Sequence, residues 1–387
     1  MRVLVMGGTQ FNGLALVREL VRTGHDVSIC NRGKTAADLP RSVSRLIADR
    51  TEPAQLRAAL AGRDWDCVFD ISAYRPEDAR LMGELLRGRT GHYVFASSTV
   101  IYAPSDLLPI AEDHPLDTSE RQNEYGRNKI LCEEILLREH RACGFPATIA
   151  AFSMVFGPNN IIPDREQRMF VRLARGRPVL IPGDGTTLGQ IGHVDDEARA
   201  LRMMAGRSVT FGRRYNITGG DVFSDEGYVD MCARAVGVEP EKLFLPAAWM
   251  DDLYAGRMSI SGRPLQVNID TRQVGFDDRA AALFGVQRIL QRLAPNLHHW
   301  NRSVFFSVER LRRDVGWEPE YTFPAAVAQT WEWMQRTGLD RTRDFDFSFE
   351  DDLIAKIRAR KRPEAARSEP NASEDPTGLP SKDRTGG

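Results

Sequence analysis

Tyr125 and Lys129 stand four residues apart in EYGRNKILCEE. On a helix that spacing stacks both side chains on one face, a turn apart. A lysine ammonium beside a phenol favours the phenolate and is expected to lower the tyrosine from its ordinary value of about 10 toward the range of a general base. Upstream, FASSTVIY at 95–102 reads as a strand end followed by hydroxyl residues. A serine at that end can hydrogen-bond the substrate oxygen on which the tyrosine acts, an arrangement suited to moving a hydride from or to an alcohol carbon. A Tyr–Lys pair alone is an ordinary helix face. It becomes chemistry only where the same fold also holds a hydride carrier.

The opening MRVLVMGGTQFNG offers that place. Met1 to Met6 is a short apolar run with the pattern of a strand buried on both faces. After Gly13, Leu14, Val17, Leu20 and Val21 recur at helical spacing, Gly24 is a stop signal, and HDVSICNR reads as a second strand. A strand, a glycine-rich turn, a helix and a strand are the context of a dinucleotide cradle. Gly7 and Gly13 fill its outer positions, and Gln10 stands where a middle glycine is expected. A glutamine can keep its backbone N–H at a pyrophosphate if its side chain points away, so Gly7, Thr9, Gln10, Phe11, Asn12 and Gly13 are all cofactor candidates. By itself the loop is also compatible with a strand-to-helix turn that binds nothing. At the end of the second strand, Asn31-Arg32-Gly33-Lys34 supplies two cations and no carboxylate. A 2′-phosphate would use those cations, which favours NADP over NAD.

The elements that must position these groups alternate strand and helix through the first 155 residues, predicting a Rossmann-like α/β fold with a doubly wound parallel sheet. Strand-like VSRLIAD, WDCVFDIS, GHYVFASS and FPATIAAFSMVFG alternate with helices near 53–62, 76–88 and 122–142, the last with Ile130, Leu131, Ile135 and Leu136 on one side. From FGPNN at 156–160 the rhythm changes. The sequence predicts a dinucleotide-binding domain over 1–155, to which 190–222 returns, and a smaller C-terminal substrate-binding region over 156–189 and 223–340. Helices are expected at 165–175, 194–206 and 224–236, and a final pair spans FSVERLRRDVGWEP and AAVAQTWEWMQRTG. The stretch 245–305 resists assignment. Its adjacent His298 and His299 point in different directions on any regular element and are not expected to hold a metal. Residues 361–387 contain almost no large apolar side chain and are expected to be disordered.

Of 387 residues, 42% are hydrophobic and 27% charged, and the net charge is −1, so no global field attracts nucleic acid or anionic membrane. Five scattered cysteines have no metal spacing, no apolar stretch reaches membrane length, and no signal peptide is read, so a reduced cytoplasmic protein is expected.

With GGTQFNG, SSTVIY, YGRNK, FGPNN, GHVDDEARAL, YNITGG and VGWEP in order over residues 1–335, the chain resembles the extended short-chain dehydrogenase/reductases, in their NAD-dependent epimerase/dehydratase branch and an atypical GGTxFxG group within it. The resemblance implies Tyr125 as acid or base, Lys129 on the nicotinamide ribose, Ser98 orienting the reacting hydroxyl, Asp49 at the adenine and Ser72 at the cofactor. It implies a homodimer through the helices at 77–88 and 122–142. Two departures narrow the substrate. Gly189-Gln190-Ile191 replaces the RDF-like segment of sugar-nucleotide epimerases, removing a bidentate partner for a substrate pyrophosphate. Thr99-Val100 replaces the Asp-Glu of the sugar dehydratases, placing dehydration below epimerisation or reduction. The resemblance implies an NAD(P)-dependent epimerase or reductase of a sugar or sugar-like alcohol, nucleotide-linked substrates included. The alternative is an RNA-binding or RNA-processing protein, because the same group resembles chloroplast stem-loop binding proteins; Arg165, Arg168, Arg172, Arg175 and Arg177 would be its local basic face. Substrate identity and stereochemistry stay open.

Overall fold

A computed structural model describes residues 1–162, 165–255, 257–258 and 300–365. Seven strands form one parallel sheet: β1 (Arg2–Met6), β2 (Asp26–Asn31), β3 (Ser44–Ile47), β4 (Cys67–Asp70), β5 (Tyr93–Ser98), β6 (Ala147–Phe152) and, after an excursion, β10 (Arg214–Ile217). Their spatial order is β10-β6-β5-β4-β1-β2-β3. All residues of β4, β5 and β6 are buried, as expected of strands covered on both faces. The order reverses between β1 and β4, so the loops leaving their carboxyl ends diverge and open a crevice there. The Rossmann-like sheet expected from the alternation is present.

Helices cover both faces. On one, α1 (Phe11–Arg22) and α6 (Val194–Met204) bury Leu16, Val17, Leu20, Leu201 and Met204. On the other lie α2 (Pro53–Leu60), α3 (Pro76–Leu86) and α4 (Glu124–Cys143), which bury Leu60, Met82, Leu86, Ile135 and Leu136. Leu131 departs from its expected side: it is 45% exposed, because the 20-residue helix buries Ile130, Cys132 and Glu133 and turns Leu131 outward. Asn123 caps α4, its Oδ1 accepting from the Gly126 amide at 2.8 Å. A Cβ at Gly126 would lie 2.4 Å from the Gln122 side chain.

The excursion builds a second layer. Strands β7 (Met154–Phe156), β9 (Leu188–His193) and β11 (Val222–Ser224) form a three-stranded sheet, and β8 (Val179–Pro182) pairs with β12 (Lys242–Leu245). With α5 (Glu166–Ala174), α7 (Asp225–Val236) and the helix Phe323–Thr337, the three-stranded sheet and β8 enclose an aromatic core in which Phe223 stacks on Phe323 at 4.1 Å between centroids, while β12 and α8 (Ala247–Tyr254) bury Leu243, Leu245, Met250 and Leu253 in a neighbouring cluster. The VGWEP segment returns to the large domain. Trp317 is fully buried, its Nε1 donates to the Asp196 carbonyl at 3.2 Å, and the Asp196 carboxylate accepts from the amides of Glu320 and Tyr321, both at 2.9 Å.

A helix not anticipated from the sequence spans Ser348–Ala365 and runs five residues into the segment expected to be disordered. Its acids face the arginines of α5: Glu350 takes a bidentate pair from Arg168 with both distances 2.7 Å, and Asp351 pairs with Arg177 at 2.6 Å and Arg172 at 3.6 Å. Arg168 and Arg172 are each 3% exposed, so that part of the expected basic face is an internal joint, while Arg175 is exposed and Arg165 and Arg177 are half-buried. Residues 366–387 and the pair His298–His299 lie outside the described residues. Four of the five free cysteines are buried, Cys143 is exposed, and no described helix is long and apolar enough to cross a membrane.

Candidate active site

The glycine-rich turn closes at the carboxyl end of β1. Gly8 has φ +89°, and a Cβ there would meet Ile29 at 2.7 Å; a Cβ on Gly13 would lie 2.8 Å from the Gly8 amide nitrogen. The loop and the start of α1 are therefore backbone against backbone. Gln10 is exposed and extended (φ −139°), and α1 begins with no side-chain cap. The first-turn amides thus keep their donors for an anion, and the positive end of the helix dipole points the same way. That surface fits a pyrophosphate despite Gln10.

Several predicted cofactor residues spend their side chains on bracing this cradle. Asn31 Nδ2 donates to the Gly7 carbonyl at 3.3 Å while its Oδ1 accepts from the Gly33 amide at 2.8 Å. Asn12 Nδ2 donates to Glu197 Oε2 at 3.1 Å, tying the loop to α6. Burial, then the neighbouring Asp196 charge, hold Glu197 well above the ordinary carboxylate range. Thr9 is half-buried and Phe11 buried. Ser72 Oγ donates to the Met6 carbonyl at 3.2 Å and accepts from Arg50 at 2.8 Å.

Arg50 was not anticipated from sequence. Its guanidinium grips Asp70 bidentately at 2.8 and 2.9 Å, and Tyr93 donates its hydroxyl to the same carboxylate at 2.7 Å. Burial pushes Asp70 up, but Arg50 and Tyr93 outweigh it and hold the carboxyl below its ordinary range. The signal available was Asp70 itself: a carboxylate ending a fully buried strand requires a partner.

At the far end of the crevice, Asp49 follows β3 and accepts from the Thr51 amide and hydroxyl at 3.0 and 2.8 Å. Burial acts to raise it, yet those bonds and the charges of Arg32 and Lys34 hold it below its ordinary value. The two cations thus share their corner with a carboxylate, which the local sequence Asn31–Lys34 does not reveal.

The catalytic candidates converge at the ends of β5 and α4. Strand alternation separates the paired serines. Ser97 donates to Glu133, which pairs with Arg214 at 2.5 Å inside the fold, whereas Ser98, whose Oγ accepts from the Val100 amide at 3.4 Å, lies on the side of the Tyr125 phenol. Lys129 is 2% exposed; its Nζ donates to the carbonyls of Ala73 at 2.8 Å and Ala96 at 2.6 Å. Around that Nζ lie the rings of Phe95 at 4.7 Å, Tyr74 at 4.8 Å and Tyr125 at 5.6 Å. Burial brings Lys129 down to about 8.

The expected lowering of the Tyr125 phenol is corrected here. Burial, reinforced by Tyr74, raises it, and the nearby Ser98 hydroxyl and the Arg165 charge pull it down only in part. The physical reason is that the Lys129 ammonium is committed to two backbone carbonyls rather than to the phenol oxygen. Tyr125 is consequently a protonated group at neutral pH.

Residues that follow β6 divide. Met154 is 7% exposed and belongs to the aromatic core. Gly157 (φ +139°) packs against Val194. Asn159 (φ +65°) lines a cavity of about 780 Å³ with Phe11, Asp195, Tyr321, Gln329 and Trp333, which contains none of Ser98, Tyr125 or Lys129. Gln190 is spent internally: its Nε2 donates to the Gly219 carbonyl at 2.7 Å and its Oε1 accepts from the Phe306 amide at 2.8 Å.

Comparison with known proteins places this geometry. Over 368 residues the chain is 27% identical to the chloroplast stem-loop binding protein of 41 kDa b of Arabidopsis thaliana, covering 92% of this chain and 84% of that protein. It is 27% identical over 208 residues to 2'-dehydrokanamycin reductase of Streptomyces kanamyceticus, covering 52% of this chain and 57% of that one. The fold matches the crystal structure of dTDP-glucose 4,6-dehydratase from Bacillus anthracis in complex with NAD, with TM-score 0.64 at 16% identity, over 88% of this chain and 98% of the other. The sequence profile of the NAD dependent epimerase/dehydratase family matches residues 3–218, and the chain belongs to that family.

Proposed function

We propose that the protein is a nicotinamide-dinucleotide-dependent reductase or epimerase acting at a carbinol of a sugar or sugar-like alcohol. The observation that carries this reading is the convergence of Ser98, Tyr125 and Lys129 on the crevice that the Gly7–Gly13 loop opens onto. When bound, the dinucleotide supplies or takes up the hydride. The loop amides and the α1 terminus would hold its pyrophosphate, with Arg32, Lys34 and Asp49 at its adenosine end. Substrate would lie between the sheet edge and the segments 156–189 and 223–340.

Within that frame the chain's own groups handle the proton. Tyr125, protonated at neutral pH, donates to the carbonyl oxygen in the reducing direction and must accept the carbinol proton in the oxidising one. Ser98 fixes the same oxygen by a hydrogen bond. The Lys129 ammonium holds Ala73 and Ala96 in place and stabilises negative charge developing nearby. A nucleotide-linked substrate is disfavoured by Gln190, whose amide is already satisfied, and dehydration by Thr99, which is fully buried.

The test is to denature the purified protein, identify any released nucleotide, and titrate the full chain calorimetrically with NAD, NADH, NADP and NADPH. Tyr125→Phe should retain cofactor affinity within about two-fold and lose hydride transfer by at least ~10²-fold, the scale of general acid–base catalysis. Undiminished transfer in that variant removes the assigned acid.

A second reading is favoured by the extent of the match to the Arabidopsis stem-loop binding protein. Against it stand the net charge of −1 and the internal pairing of Arg168 and Arg172. Retention of a stem-loop RNA at physiological salt, with no binding of any of the four dinucleotides, would put that reading first.

A further inference from the structure

Arginine side chains buried wholly or in part among the described residues commonly face a carboxylate. Arg50 grips Asp70, Arg168 grips Glu350, Arg214 pairs with Glu133, and Arg172 lies 3.6 Å from Asp351. Arg165 differs. It precedes α5, its Nε is buried with no hydrogen-bond partner, and among the described residues no carboxylate oxygen lies within 4 Å of its guanidinium. The adjacent acid does not serve it: Glu166 turns into the fold, where its Oε1 accepts from Asn160 Nδ2 at 2.7 Å. Burying that nitrogen carries a desolvation cost that, among the described residues, the Glu166 charge offsets only in part.

Its place in the molecule says what offsets it. The groups whose fields reach the guanidinium, besides Glu166, are the hydroxyls of Tyr125 on α4 and Tyr228 on α7, so Arg165 lies where the substrate region meets the catalytic tyrosine. Gln190 is spent on backbone groups and offers no cationic alternative at the usual pyrophosphate position.

We infer that Arg165 is the recognition residue for an anionic group on the substrate, a carboxylate or a phosphate ester carried close to the reacting carbinol. The inference rests on the reading of Ser98, Tyr125 and Lys129 as the catalytic centre and narrows its substrate to anionic alcohols. The planar guanidinium offers a fork of donors matched to either oxyanion. Its charge would also assist the loss of a proton from Tyr125 when the reaction runs in the oxidising direction.

The experiment is calorimetric titration of the full chain, preloaded with NADH, with malonate, inorganic phosphate and glycerol as probes. Binding of malonate, phosphate or both, but not glycerol, is expected, and the preferred anion distinguishes a carboxylate from a phosphate ester. Arg165→Gln should weaken that binding about ten-fold or more, as for loss of a hydrogen bond to a charged group. Arg18→Gln, on the exposed side of α1, should leave it unchanged. No anion binding, or equal affinity in Arg165→Gln, overturns the inference. If the glutamine variant does not fold, Arg165→Lys decides by the same titration: weakened binding supports it, and unchanged affinity overturns it. The four dinucleotides are titrated separately, NADPH replacing NADH if only it binds, so failure to bind any of them would count against the dinucleotide reading, whatever the anion result.

Discussion

Replacing Lys129 by methionine tests the energetic state of this buried lysine without requiring a substrate. Burial lowers its ammonium from 10.5 to about 8. The folded protein therefore binds that proton more weakly than the unfolded chain does. Folding with the lysine protonated is penalised, fully at pH values below about 8, partly between about 8 and 10.5, and not at all above. With each ten-fold change in proton affinity worth ~1.4 kcal/mol, the penalty is about 3 kcal/mol at pH 7 and below 1 kcal/mol at pH 10. Wild type should thus gain about 2.5 kcal/mol relative to Lys129→Met between those two pH values. Other titrating groups appear in both proteins and cancel in the difference. The methionine leaves the Ala73 and Ala96 carbonyls without their donor, an offset that is constant with pH and does not disturb the slope. Denaturant unfolding of both proteins at several pH values, with reversibility checked, is the assay. A stability difference that stays flat from pH 7 to pH 10 would refute the buried, depressed lysine, as would one that moves in the opposite direction.

Other perturbations address the cradle, the cofactor and the surface. Gly13→Ala places a Cβ 2.8 Å from the Gly8 nitrogen, so it should weaken dinucleotide binding at least about ten-fold, the equivalent of ~1–3 kcal/mol of overpacking; calorimetry showing unchanged affinity would mean the turn does not carry the pyrophosphate. Gly83→Ala in α3, where an added Cβ meets no atom within 4 Å, should instead stabilise by roughly 0.5–1 kcal/mol, read from its unfolding midpoint. Arg32→Ala should weaken NADP more than NAD if the cations serve a 2′-phosphate, whereas equal losses would indicate that Asp49 already neutralises that corner. If α3 and α4 form a dimer face, exposed Leu131 lies in it, and Leu131→Glu should turn a dimer into a monomer by light scattering; a monomeric wild type ends that proposal.

What was legible in the sequence was local. The β1 turn and the Tyr125–Lys129 spacing each act within one element or between neighbours, so residue type and period carry them. What was not legible depends on partners far apart in the chain. Glu133 lies on the same helix face as Lys129, but only its pairing with Arg214, 81 residues away, explains why a carboxylate can be buried there. The helix Ser348–Ala365 is held by ion pairs to α5 and by Phe349, Leu353, Ile354 and Ile357, buried against Leu180, Leu243 and Leu245, all partners distant in the chain. The phenol of Tyr125 was misjudged for a related reason. Spacing predicts that two side chains share a face, but not that the ammonium will choose backbone carbonyls over its neighbour.

The position of β10 governs the order in which this molecule can mature. The sheet's outermost strand on the β6 side arrives only after the whole β7–β9 excursion and α6 have been made. At translation rates of roughly 5–20 residues per second, the unpaired rim of β6 waits about 3–12 s on the ribosome for residues 214–217. During that wait the apolar flank of α1 lacks its partner α6, and Trp317, which seals the same core, has yet to emerge. A chaperone-free nascent chain would therefore be most prone to strand-mediated aggregation in the middle third of its synthesis, before any part of the cofactor crevice has been stressed by ligand.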